Sequence, residues 1–185
     1  LQEKVFPTIQ VGKPLFFVVI DNLRLDQWES IKPLITEYFN MEEEGTYFSI
    51  LPTTTAYARN ALFSGLMPSD MARIHPDLWE GEDTEEGKNN NEEQFLGENL
   101  HRNRLSIKYS YHKIIQAFQG KAVVDQFSQL LRNDLNVLVY NFVDMMSHAR
   151  TDMKMVRELA PNEAAYRSLT KSWFEHSSLY ELFRK

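Results

Sequence analysis

The chain contains no cysteine. That excludes disulfide staples and thiolate chemistry, whether nucleophilic or metal-binding, and it fits a cytoplasmic protein. No apolar run approaches the ~20 residues a membrane-spanning helix requires, so no membrane insertion is expected. The opening stretch, LQEKVFPTIQVGKP, lacks the basic start and apolar segment of a secretory leader. Clustered positive charge is also missing: Arg24, Arg59, Arg73 and Lys121 are scattered along the chain. A long nucleic acid held by its backbone is therefore excluded, because counterion release needs several cations together. There is no internal repeat.

What is present is a globular composition, 43% hydrophobic over 185 residues, enough for one domain or most of one. The net charge of −6 is local. Residues 80–93, EGEDTEEGKNNNEE, carry seven carboxylates and one lysine, which leaves the rest formally neutral. This aperiodic run, rich in Asn and Gly, reads as an exposed acidic insertion loop. The ordered ligand spacing of a calcium loop is absent from it.

Apolar runs at Leu15–Ile20, Tyr47–Leu51 and Val137–Val143 have the length and residue types of buried strands, and Ser106–Ile114 alternates more weakly. Between them lie helical patterns. Trp28, Ile31, Leu34, Ile35, Tyr38 and Phe39 share one helical face, which Pro33 must kink or restart. A short helix, Ala56–Ser64, is closed by Gly65. Val123, Phe127, Leu130 and Leu131 mark another. From about Ser147 the chain is helical throughout, with Pro161 opening its last long segment. Strands alternating with helices predict a three-layer α/β/α domain with a mostly parallel sheet, whose chemistry sits at the carboxyl ends of the strands.

Three strand ends carry the chemistry. The first run drives into Asp21, which is either a turn or capping carboxylate or a metal ligand. The second is followed by PTTT, where Thr55 stands last before a helix. There it is an ordinary N-cap, or a hydroxyl at a tip whose free N–H groups and dipole welcome an anion. The third gives Asp144 with His148 four residues later, spaced to point at one ion from a helix. Imidazole with carboxylates favours zinc or a similar first-row cation over magnesium or calcium. Two such ions ~4 Å apart would activate a threonine hydroxyl and stabilise the leaving oxygen in phosphoryl transfer.

The strand-end Asp, the Pro-x-x-Thr before a helix and the later Asp-x-x-x-His resemble the alkaline phosphatase superfamily. The segments VVIDNLRLDQW, LPTTTAYARNALFSGLMP, NFVDMMSHAR and RELAPNEAAYRSLTKSWFEHS are similar to its PglZ domains, over nearly the whole chain. The resemblance implies a two-zinc phosphodiesterase acting on cyclic or linear oligonucleotides, as the output domain of a two-component response regulator linked to type 9 secretion. Secretion-system or sigma-factor proteins are the partners it implies. On this likeness Asp21 and the nucleophile Thr55 contact one zinc, and Asp144 and His148 the other. Thr55 lies three residues after Pro52 and ten before Gly65, as the likeness requires, with Thr53 the fallback. Arg59 and Asn60, on the following helix, either touch a phosphate oxygen or form a surface pair.

The superfamily completes its metal sites with an Asp-His pair and a further His, but this sequence has no Asp-His dipeptide. The remaining ligands are expected beyond Lys185. Residues 1–13 read as the end of an interdomain linker and 14–185 as the N-terminal part of the domain. His176 lies in a helical stretch, and the roles of His75, His101 and His112 stay open. Two other functions compete: a phosphomonoesterase of the same superfamily, and an interaction module with a vestigial metal site. In the latter, Tyr166, Trp173 and Phe174 form a homodimer or partner surface rather than packing internally.

Overall fold

The computed structural model describes residues 1–79 and 89–185. In chain order its elements are β1 (Leu15–Ile20), α1 (Leu25–Ile35), α2 (Thr55–Ser64), α3 (Pro68–Ile74), α4 (Glu92–Arg102) and β2 (Tyr109–Ile114). Then follow α5 (Ala117–Asp125), α6 (Phe127–Leu130), β3 (Leu135–Tyr140), α7 (Phe142–Asp152), α8 (Lys154–Leu159), α9 (Glu163–Glu175) and α10 (Ser178–Phe183). They form two compact units, Leu1–Ile9 with Gly45–Ile107, and Gln10–Glu44 with Lys108–Lys185.

The second unit holds a parallel sheet in the order β1-β3-β2. The middle strand, LNVLVY, is buried along its whole length, as expected of a parallel strand covered on both faces. Ile20 and Ile114 both register with Tyr140, so the three strands end together. Against the sheet lies a core that includes Ile31 of α1, Val124 of α5, Phe174 of α9 and Leu179 of α10. Each such side chain contributes about 1.5–3 kcal/mol on burial. Gln27, fully buried in α1, donates Nε2 to Thr170 Oγ1 of α9 at 2.7 Å, which satisfies its amide inside the core. At the opposite end of the sheet, the Asp134 carboxylate accepts from Gly12 N at 2.6 Å and Lys108 N at 2.9 Å. It thereby ties the entries to β1 and β2 to that of β3. Those two N–H groups, Gly12 first, hold the Asp134 carboxyl below its ordinary value. Gly12 has φ +83°, a left-handed conformation that glycine adopts without penalty.

In the first unit α2 packs on α4, with Phe63, Met71, Phe95 and Leu96 fully buried. Gly65, at φ +65°, closes α2 as its position predicts. Asn99 of α4 donates Nδ2 to the Phe63 carbonyl at 2.8 Å and accepts from Gln2 at 3.0 Å.

Several expectations need correction. Tyr47–Leu51 is not a strand: the segment is irregular, with Tyr47 78% and Phe48 103% exposed. Its unit offers no strand among the described residues to complete a ladder, and an unpaired strand is not stable. β3 starts and ends earlier than Val137–Val143, because Asn141 opens α7 and Val143 belongs to that helix. Pro33 does not restart α1: it lies in the last turn, and the Thr36 hydroxyl donates to the Lys32 and Pro33 carbonyls just beyond. Residues 80–88 of the acidic run lie outside the described residues. Its end is no loop, since α4 begins at Glu92 and that side chain is fully buried. No helix among the described residues is long and apolar enough to cross a membrane.

Candidate functional site

The sheet positions the first cluster. β1 runs parallel to β3 in register, and the N–H of Asp21, one residue past β1, donates to the carbonyl of Tyr140, the last residue of β3, at 2.9 Å. Asp21 therefore stands at the carboxyl edge, where β3 hands over to α7 through Asn141. Asn22 follows at φ +59°, a left-handed conformation that Asn tolerates better than most residues. Its Nδ2 donates to Asp144 Oδ1 at 3.5 Å, which brings the β1 turn to the first turn of α7. Asp144 is favoured there by the helix dipole. One turn on, His148 Nε2 lies 3.7 Å from Asp144 Oδ1, with the imidazole 75% exposed and the carboxylate 22% exposed. Asp21, Asp144 and His148 thus share one rim of the second unit.

Thr55 belongs to the first unit. It is the first residue of α2, one position earlier than the sequence pattern suggests, and Thr54 takes the N-cap place without a side-chain capping bond. The N–H groups of Tyr57 and Ala58 return to the Thr54 carbonyl at 3.0 and 2.8 Å. Those of Thr55 and Ala56 stay available at the tip, as the first donors of any helix do. Thr55 is half-buried, while Thr53 is exposed in the irregular segment before it.

The two residues expected on phosphate are otherwise engaged. Arg59 is buried and donates Nε and Nη2 to the two carboxylate oxygens of Glu92 at 2.7 and 2.6 Å. The guanidinium is enclosed with its counter-ion, the arrangement a buried charge requires. Asn60 donates Nδ2 to the Ala56 carbonyl at 2.8 Å and leaves Oδ1 buried without a partner. That orphan is an acceptor, suited to a donor or cation rather than to a phosphate oxygen. Four histidines are left open by the sequence. His75 ends α3 with its ring edge-on to Phe95, and exposed His101 lies in the last turn of α4. His112 sits in β2, and His176 caps α9 on the Ser172 carbonyl. The aromatic residues weighed as a partner surface pack internally instead: Phe174 and Tyr166 are buried, and Trp173 stacks on Phe142 at 4.5 Å.

A second cluster was not legible in the sequence. Arg24, Arg150 and Arg157 line a cavity of about 410 Å³ together with Asn22, Glu163 and Tyr166. The Glu163 carboxylate bridges Arg24 Nη1 at 2.5 Å and Arg150 Nη1 at 2.9 Å. Hydrogen bonds from Arg24, then Arg150, hold its carboxyl below the ordinary value. Asp26, bonded by Arg24 and then Arg167, falls to about 2. Arg24 and Arg150 also sit over the Tyr166 ring, 5.6 and 4.7 Å from its centre. Of the four cations that look scattered in the sequence, Arg24 of the β1–α1 turn belongs to this cluster, where Arg150 of α7 and Arg157 of α8 join it.

Asp21 and the Asp144–His148 pair at one sheet edge match the donor chemistry of zinc in kind. In number they fall short: no group of three or more ligands gathers among the described residues, and zinc ordinarily takes three or four. The parallel sheet with acidic groups at its carboxyl edge makes this an α/β protein, consistent with an alkaline phosphatase-like fold. The family model for the BREX system PglZ alkaline phosphatase-like domain matches residues 1–185, and the chain belongs to that family. No curated protein matches it. The superfamily is one of hydrolases, which generally use metal ions.

Proposed function

We propose that the chain serves a metal-dependent phosphodiesterase that cleaves short cyclic or linear nucleotides through Thr55. The observation that carries this reading is the common rim of Asp21, Asp144 and His148, fixed by the β1–β3 register. Zinc is the cation whose chemistry the donors Asp21, Asp144 and His148 of the rim match in kind, with further ligands needed to complete each site. A bound cation there would neutralise phosphoryl charge and lower the pKa of a nearby hydroxyl. The tip of α2 would orient a phosphoryl oxygen through its free N–H groups. Thr55 Oγ1 then forms a bond to phosphorus as the bond from phosphorus to the leaving oxygen breaks; the threonine proton passes to solvent, and the leaving oxygen takes a proton from solvent to depart as an alcohol. Water displaces the threonine in a second step and restores the hydroxyl.

The likeness of the motifs to the PglZ domain of PorX, a type 9 secretion response regulator, supports a place in two-component signalling. The test is Thr55→Ala in the full-length protein, assayed with zinc on an aryl phosphodiester. Turnover should fall by at least a factor of 10³, as expected when a covalent nucleophile is lost, while Thr53→Ala retains it. Undiminished turnover by T55A would overturn the assignment.

A further inference from the structure

We infer that the arginine-lined cavity beside Asp144 binds a phosphate group of a nucleotide, one that is not itself cleaved. The hydrolase reading supplies only the idea that the ligand is a nucleotide; the anion site stands on its own geometry. Asn22 links the two places, since it lines the cavity and donates to Asp144. Three guanidinium groups and one carboxylate line it, and Asp26 also pairs with Arg24, which leaves Arg157 without a carboxylate partner.

The donors are unevenly used. Arg24 has all three nitrogens engaged, with Nε and Nη2 on Asp26 and Nη1 on Glu163. Arg150 spends Nη1 on Glu163, and Arg157 spends Nη1 on the Thr151 carbonyl. Nε and Nη2 of both have no acceptor among the described residues. Tyr166, 3% exposed as a whole, lines the same cavity and makes no hydrogen bond from its hydroxyl to another described residue. A planar fork with two free N–H groups matches two oxygens of a phosphate, and two such forks with a phenol match a tetrahedral anion. The volume suits a phosphate carrying a sugar or base. Arg24 and Arg150 already cover the Tyr166 ring, so it orders the arginines rather than stacking a base.

The experiment is calorimetry on the whole chain in EDTA, with adenosine monophosphate and inorganic phosphate as probes. Both should bind saturably at millimolar concentration or below. Arg157→Gln, a change at an exposed residue, and Arg150→Gln should each weaken binding about tenfold, and Glu163→Gln, which removes the competing carboxylate, should tighten it. Circular dichroism confirms that each variant is folded. Absence of saturable binding by the parent chain, or unchanged binding by R157Q and R150Q, would overturn the proposal. Because the assay contains no metal and needs no turnover, its result is independent of the Thr55 test, and either reading can fail alone.

Discussion

Removing Glu92 should damage the helix that carries Thr55. The carboxylate is 0% exposed and its partner Arg59 5% exposed, joined by two hydrogen bonds of 2.7 and 2.6 Å. In Glu92→Ala the guanidinium stays buried in α2 with its main acceptor gone. Breaking one side of such a pair costs about 3–5 kcal/mol, against a total of about 5–15 kcal/mol for a domain. With a urea slope of about 2 kcal/mol/M, the midpoint should fall by about 2 M. Far-UV circular dichroism in urea measures this. The double variant Arg59→Met with Glu92→Leu removes both charges and fills the space, so it should return to within about 1 kcal/mol of the parent. The reasoning is refuted if E92A unfolds within about 0.3 M of the parent, or if the double variant is no better than the single one.

Asp134 gives a pH-dependent test. Its carboxyl is held below the ordinary value by the Gly12 and Lys108 N–H groups, so the folded chain takes up its proton less readily than the unfolded one. The stabilisation is fully present above about pH 4 and is lost as pH falls through the folded-state value. Asp134→Asn should therefore be less stable than the parent at neutral pH, with the gap closing in acid; urea midpoints across pH check this, and a gap that widens in acid would contradict it. Zinc titration of the 185-residue chain should show binding weaker than about micromolar, because the α7 pair supplies two donors where three or four are usual. Tight stoichiometric uptake that disappears in Asp144→Ala would show that this chain completes the site.

The sequence reveals those parts of the fold that depend on local signals. β1 is a six-residue apolar run that leads into Asp21, and α2 is stopped by a glycine in the left-handed conformation it favours. The Asp144–His148 spacing is also local, and the pair lies on one helix as its four-residue interval suggests. Signals without local expression fail. Tyr47–Leu51 has strand composition but no ladder partner in its unit, and composition alone cannot supply one. Val143 extends the apolar run of β3, although the chain has already turned helical at Phe142. Glu92 looks like one more solvated acid in a charged run, because the arginine that neutralises it lies 33 residues away. The arginine cavity joins Arg24 to Arg150 and Arg157, which lie more than 100 residues further along the chain, so only the fold makes it a cluster.

The central claim is that phosphoryl transfer passes through a covalent bond to the hydroxyl at the tip of α2. Acid-quenched full-length protein, mixed with zinc and a slow aryl phosphodiester, can be digested and its peptides weighed by mass spectrometry. The account predicts that the peptide containing PTTTAYAR gains the transferred phosphoryl ester, with fragmentation placing it on Thr55 and none formed in T55A. A fully active enzyme whose adduct sits on another residue would contradict it.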